Sequence, residues 1–291
     1  MPIGIVFATL AYFCWGLFPI FFKQLVGVDA FEVVMHRTVW SLVFLLGVLL
    51  VLRRWAWLGP VLRQPRVLAA FALSAGLLVA NWSIYVWAIQ HDHVLDASLG
   101  YFILPLINVA LGFVFLRERP RVGQWFAVGI AAAGVVWLTV LAGRLPYVAL
   151  LLALTFAFYG LLRKVAVLGA LEGLTLETLL LTPFAAGLLV WWTWHGQGVL
   201  AQNNTHALGW LLLAGPITAI PLLMFAAGAR RVTLATMGLL QYIAPSMLVV
   251  LGVWLYSEPF DVRRAGGFGL IWLALILYSL EGWRESIRRR A

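Results

Sequence analysis

Long apolar runs separated by short polar turns recur along the whole chain, each close to the roughly 20 residues a helix needs to cross a hydrocarbon core. They fall near 3–22, 31–52, 67–88, 94–115, 122–141, 146–163, 175–194, 207–228, 233–256 and 265–283. In hydrocarbon each backbone N–H and C=O must be satisfied within its own segment, so such runs are helices. The pattern predicts an all-α integral membrane protein with ten transmembrane helices. The longest polar interval, about 195–206, is uncharged, and no low-complexity linker occurs.

Composition agrees with the pattern. Of 291 residues 64% are hydrophobic and only 11% charged, with a mean hydropathy of +0.98, far from soluble usage. Ten crossings take up roughly 200 residues, which leaves no room for an appended catalytic domain. The first basic residue is Lys23, so the basic n-region of a signal peptide is missing and the first run reads as an uncleaved span. A single cysteine, Cys14, excludes an internal disulfide, a zinc cluster or a thiol relay.

The formal charge of +9 gains meaning from its distribution. With the N-terminus inside, one side receives Arg53, Arg54, Arg63, Arg66, Arg117, Arg119, Arg121, Arg163, Lys164, Arg230, Arg231, Arg284, Arg288, Arg289 and Arg290. The other receives Lys23, Arg144, Arg263 and Arg264, and Arg37 lies within the second run. Fifteen against four places both termini in the cytoplasm by the positive-inside rule. The basic excess is then an orientation signal. No basic segment sits among soluble fold signals, so nucleic acid is not expected as a partner.

Shifting the chain by 140 residues aligns 99–118 with 239–258 without a gap, and seven of twenty positions are identical: Leu99/Leu239, Ile103/Ile243, Pro105/Pro245, Val109/Val249, Leu111/Leu251, Gly112/Gly252 and Glu118/Glu258. Chance would give about two. The shift spans five crossings, an odd number, so the second copy is inverted in the bilayer. Trp15-Gly16 and Tyr159-Gly160 form a weaker echo. The expected organisation is a first five-helix repeat, 1–142, and an inverted second, 143–291. Inverted halves are a signature of secondary transporters, whose site lies at the midplane, and matched prolines or glycines point to it. Pro105 and Pro245 are therefore expected helix kinks. They free the carbonyls of Tyr101 and Gln241, which then need a partner or a wet cavity.

Polar residues within the runs supply further candidates. Glu32 and His36 are four apart on one face, with Trp40 a turn on. They read as a titratable pair facing a wet cavity, a candidate for proton coupling, or as an interfacial structural cluster. Arg37 points about 140° away from Glu32, toward an anionic group or a neighbouring helix. Ser74, Asn81, Tyr85 and Ala88 share a stripe beside Trp82. An amide, a phenol and an indole at one depth suit an amphipathic aromatic ligand, and equally hydrogen bonds between helices. Glu118 and Glu258 sit at run ends, where helix-end pairing is their expected job. His91-Asp92-His93 with Asp96 contains a His-x4-Asp spacing, but in a short outer turn without an oxyanion donor or pocket it makes no catalytic constellation.

Several of these segments resemble the RarD family, in the EamA branch of the drug/metabolite transporter superfamily: Glu32-x3-His36-Arg37-x2-Trp40-Ser41, Asn81-Trp82-x2-Tyr85-x-Trp87-Ala88, Ala97-Ser98-Leu99-Gly100-Tyr101-Phe102-Ile103-x-Pro105, Gly238-Leu239-Leu240-Gln241-Tyr242-Ile243-Ala244-Pro245 and Ile271-Trp272-Leu273-Ala274 through Tyr278-Ser279-Leu280-Glu281-Gly282. The resemblance runs along essentially the whole chain. It implies a ten-helix transporter of the bacterial inner membrane with a cavity between two halves and peripheral fifth and tenth helices, the surface for a homodimer. It also implies export, since relatives in the superfamily export amino acids and other metabolites and RarD members are often labelled chloramphenicol-sensitivity permeases. It assigns no individual substrate contacts.

The expectation is therefore a secondary transporter, an exporter of a small amphipathic or aromatic metabolite or drug, amino-acid-like or amphenicol-like, working by alternating access. Asn81, Trp82, Tyr85, Tyr101, Gln241 and Arg37 are its candidate substrate contacts. No ATP-binding motif is present, and no cofactor, metal or enzymatic activity is expected. The competing readings are a membrane enzyme on lipid-linked substrates and a non-transporting scaffold.

Overall fold

The computed structural model describes residues 3–25, 27–90, 94–143, 147–255 and 262–288. Among them there is no strand. The long helices are α1 (Ile3–Gly16), α2 (Ala30–Leu52), α3 (Pro65–Gln90), α4 (Val94–Leu116), α5 (Val122–Ala142), α6 (Tyr147–Val165), α7 (Ala170–Trp194), α8 (Thr205–Ala229), α9 (Leu234–Gln241), α10 (Ile243–Val250) and α11 (Val262–Arg288). Short helices Phe18–Phe22 and Lys23–Leu25 prolong α1, and a π-helical turn, Leu251–Leu255, follows α10. Eight helical stretches among the described residues are long and apolar enough to cross a membrane, and Ala265–Glu281 in α11 is a shorter apolar one. Side chains such as Val51, Val122 and Trp194 stand more than 80% exposed. In water such a surface would aggregate; here it is the face a multi-pass membrane protein turns to lipid.

Local chemistry accounts for several helix ends. Asp29 caps α2 by accepting from the Phe31 and Glu32 N–H groups, satisfying donors that a first turn leaves free. Pro65 opens α3, where its missing N–H costs nothing. Arg53 and Gly143 close α2 and α5 in the left-handed conformation. The seventh helix begins at Ala170 rather than near 175. Glu172 lies in its first turn, favoured by the positive end of the helix dipole, and pairs with Arg54 at 3.5 Å.

The two matched prolines act differently. The ninth run breaks, with α9 stopping at Gln241 and α10 starting at Ile243, so that Pro245 sits in a first turn. Pro105 lies inside an unbroken α4. Interior prolines also occur at Pro183 in α7 and at Pro216 and Pro221 in α8.

Packing places α1 against α8, α9 and α10, and α6 against α3 and α4. Helix α2 lies on α7 and α8, α3 also touches α7, α4 crosses α9, and α5 packs chiefly on α11. Small residues permit the closest crossings. A Cβ on Gly215 of α8 would stand 2.4 Å from the Trp40 carbonyl oxygen of α2, and one on Gly238 of α9 would stand 2.6 Å from the Pro105 carbonyl oxygen of α4. Ser41 Oγ donates to the Gly215 carbonyl at 3.2 Å and Tyr242 OH to the Phe102 carbonyl at 3.1 Å, stitching the same crossings.

Gly215→Ala and Gly238→Ala should each destabilise the detergent-solubilised protein by about 1–3 kcal/mol, the cost of overpacking against backbone, visible as a lowered thermal midpoint. Gly129→Ala, where a Cβ meets nothing within 4 Å, should leave the midpoint unchanged or raise it.

Candidate functional site

A cavity of about 460 Å³ lies in the middle of the bundle, within the range of small-molecule sites. It runs from the exposed turn at Gly27 past Leu25, Val28 and Ala30 to a floor at Tyr12, Trp15, Phe156 and Leu222. The floor is aromatic: Trp15 meets Phe156 at 5.7 Å and Phe225 at 5.6 Å between ring centroids, and Tyr159 stacks on Phe225 at 6.1 Å behind them. Arg37, Asn81, Trp82, Tyr85, Tyr101, Gln241 and Pro245 all line this cavity. Pro105 is buried beside it and is not part of the wall.

Arg37 dominates the electrostatics. Only 9% exposed, its Nε donates to Thr218 Oγ1 of α8 at 2.9 Å. Its guanidinium carbon lies 4.8 Å from the Trp82 ring centroid and 5.6 Å from those of Phe18 and Phe22. Three aromatic faces hold the cation by their quadrupoles. Among the described residues no carboxylate pairs with it, and its two terminal nitrogens have no hydrogen-bond acceptor. Removing a charge from water without a counter-ion is costly, and here the Thr218 hydroxyl and the three rings offset part of that cost.

The other wall residues divide by what already occupies them. Asn81 donates from Nδ2 to the Leu152 carbonyl and Thr155 Oγ1 of α6, both at 2.9 Å, so its donors join helices while its side chain borders the cavity. Gln241 Oε1 accepts from Asn108 Nδ2 at 3.3 Å across the α4–α9 crossing. Tyr85 and Tyr101 meet edge-on at 6.2 Å. Asn81, Trp82 and Tyr85 of the stripe and Tyr101 and Gln241 of the kinks thus meet in one wall, while Ser74 bonds to Glu177 instead.

Glu32 and His36, which the sequence left open as a titratable pair facing a wet cavity or as a structural cluster, lie on another face of α2. They do approach, at 3.7 Å, but neither lines it. Helix α2 turns Val33, Val34 and Arg37 inward and the Glu32 face toward the segment after α7. There Glu32 Oε1 accepts from the Val199 N–H at 2.7 Å, against Gly198, whose φ of +83° and lack of a side chain leave room for the carboxylate. Trp40 Nε1 donates to His36 Nδ1 at 3.2 Å. Glu118 behaves as a helix-end group, accepting from the Leu234 N–H and pairing with Lys164 at 3.4 Å. Glu258, His91, Asp92 and His93 lie outside the described residues, as does the Asp96 side chain. No group of three or more His, Cys, Asp or Glu side chains suited to a metal occurs among the described residues.

One charged cluster escapes the sequence reading. Arg163, counted there among loop cations, is 1% exposed, and Glu177 of α7 is fully buried. They lie 3.5 Å apart. The signal was available: Glu177 follows Arg37 by 140 residues, the offset of the repeat, and Ala30/Ala170, Glu32/Glu172, Thr38/Thr178, Gly47/Gly187 and Leu49/Leu189 match at that offset.

Comparison with known proteins gives the arrangement a family. The EamA-like transporter family model matches residues 2–140. An uncharacterized transporter of Pseudomonas aeruginosa is 44% identical over 98% of this chain and 96% of its own length. Protein RarD of Streptomyces exfoliatus is 43% identical over 99% of this chain and 91% of its own. A solved crystal structure, 18% identical, superposes with a TM-score of 0.72 over 95% of this chain and 97% of the other, a likeness of fold. The matching family and the Pseudomonas relative are described as transporters rather than enzymes. The chain belongs to the RarD family of EamA-like membrane transporters.

Proposed function

We propose that the protein is a secondary transporter that exports a small amphipathic anion with an aromatic or flat apolar body, by alternating access between two inverted halves, 1–142 and 143–291. The observation that carries the substrate class is Arg37, a buried cation without a carboxylate partner, stacked on Trp82 in the wall of the cavity. A carboxylate there supplies the missing counter-charge by a charge-assisted, two-pronged hydrogen bond. Trp15, Trp82, Tyr85 and Tyr101 would flank the apolar body. An amino-acid-like carboxylate uses both features; a neutral amphenicol-like drug uses only the walls.

The two-half organisation is supported by the packing. Exchanging the first five crossings for the last five, with α9 and α10 taken as one and α11 as the last, turns α1–α8 into α6–α3, α1–α9 into α6–α4 and α2–α8 into α7–α3. It maps α2–α7, α4–α9 and α5–α11 onto themselves, and all these contacts exist. Fifteen basic residues against four support a cytoplasmic N-terminus and C-terminus in a bacterial inner membrane. In that orientation the Gly27 end of the cavity faces outward and the Arg163 end inward. Glu32 and His36 serve in this reading as anchors for the 198–201 turn.

Thermal-shift titration of the purified protein with aromatic carboxylates should reveal a ligand that proteoliposomes also transport. Arg37→Met should keep the fold, since an apolar isostere replaces an unpaired buried charge, yet weaken binding at least about tenfold, ~1.4 kcal/mol. Unchanged affinity would remove the anion site. Glu32→Leu should strand the Val199 N–H and cost about 1–3 kcal/mol of stability with affinity intact; a loss of affinity matching Arg37→Met would instead put Glu32 in the transport path. A C-terminal reporter protein that fluoresces only in the cytoplasm should be bright, and a dark fusion would reverse the orientation.

A further inference from the structure

The bundle holds a second buried charged site, away from the cavity, that the substrate reading leaves unused. Glu177 of α7 accepts from Ser74 Oγ of α3 at 2.5 Å and from Tyr159 OH of α6 at 3.4 Å, and it lies 3.5 Å from Arg163 Nη1. Arg163 donates from Nη2 to the carbonyls of Gly169 and Ala170 at 3.4 and 3.2 Å and rests on the Phe71 ring at 5.6 Å. Three helices thus meet on one ion pair. Its satisfaction is incomplete, because Arg163 Nε and Nη1 have no hydrogen-bond partner.

Position gives the pair a meaning. On one side stands the aromatic floor of the cavity, which Tyr159 backs through Phe156 and Phe225. On the other is a pocket of about 240 Å³, lined by Arg66, Phe71, Ser74, Arg163 and Ala166, that reaches the exposed Arg66 and Val167. The ion pair and the aromatic layer are what separate that surface from the cavity.

Repeat correspondence sharpens this. Arg37 and Glu177 are 140 residues apart, and their hydroxyl partners Thr218 and Ser74 are 144 apart, the offset that also relates Trp15-Gly16 to Tyr159-Gly160. Each half therefore ties one charged residue on its second helix to a hydroxyl on the third helix of the other half. In the first half that residue borders a cavity; in the second it is sealed. The residue 144 before Arg163 is Pro19, which lines the cavity, so the second lock has no counterpart at the first site.

We propose that Arg163 and Glu177 form the lock of the inner gate, holding α3, α6 and α7 together while the cavity faces outward. The pair separates when the second half takes the conformation now held by the first, and Glu177 is then exposed to an inner cavity as Arg37 is to the outer one. The proposal rests on the transporter reading and its exchanging halves.

The test uses full-length protein in a Cys14→Ser background with one reporter cysteine at a time. Leu78→Cys reports the buried layer beside Tyr159, where Leu78 is 1% exposed, and Ala244→Cys reports the cavity wall. Glu177→Gln should raise labelling of Leu78→Cys by an impermeant maleimide in inside-out vesicles at least fivefold, and lower labelling of Ala244→Cys in right-side-out vesicles. Should Glu177→Gln fail to fold, Ser74→Ala, which leaves both charges in place, should move both rates the same way by a smaller factor. Parent rates in the folded variants overturn the lock. Transport of a carboxylate by the parent is scored separately. Shifted labelling without transport keeps the lock and removes the transporter reading; transport with unshifted labelling does the reverse.

Discussion

Charge inside an apolar bundle is the constraint around which the rest is arranged. A charged side chain within a membrane span, as Arg37 and Glu177 are, carries a penalty of up to a few kcal/mol on insertion scales. The two sites meet it differently. Glu177 is matched by a cation, a serine and a tyrosine, and taking away one member of such a pair costs about 3–5 kcal/mol. Arg37 is matched by one hydroxyl and three rings, which stabilise a cation without neutralising it. The first leaves the charge paired and the second leaves it without a counter-charge.

Close backbone contact sets the helix crossings that hold the buried polar groups. Gly215 brings α8 onto the Trp40 turn of α2, next to the Arg37–Thr218 bond between the same two helices. Gly238 brings α9 onto the Pro105 carbonyl, beside the Asn108–Gln241 bond. In lipid, helix association draws on packing and hydrogen bonds rather than on hydrophobic burial, so these glycine crossings do the work that a greasy core does in water. Lys164 adds a tie at one end, donating to the Ala229 and Val232 carbonyls while paired with Glu118. One side chain there joins α4, α6 and the turn after α8.

How far the sequence could be read depended on which physical signal each residue carried. Apolar runs report helices directly, so the starts of the long helices were legible to within a turn, the seventh excepted. Tyr101 and Gln241 were reached from the prolines four residues later, and Asn81, Trp82 and Tyr85 from a shared stripe; all five border the cavity. Helical spacing separates faces without naming which neighbour each one meets. That is why the spacing sets Arg37 apart from the Glu32–His36 pair without telling that Glu32 meets the Val199 N–H. Arg163 was hidden by its neighbour: beside Lys164 at a run end it reads as a loop cation, and only the fold shows that one of the two points inward. Pro216 and Pro221 show that an interior proline alone does not mark a site, since α8 runs through both without a break.

The uncompensated guanidinium of Arg37 also bears on the kinetics of a carrier. When such a protein reorients empty, the cation must pass through a sealed state with nothing to replace the water it loses. Under the alternating access proposed above, a carboxylate bound at Arg37 would travel with it and neutralise the moving charge. The return of the unloaded form would then be the slow half of the cycle, and exchange of one anion for another across the bilayer would outpace net flow in either direction.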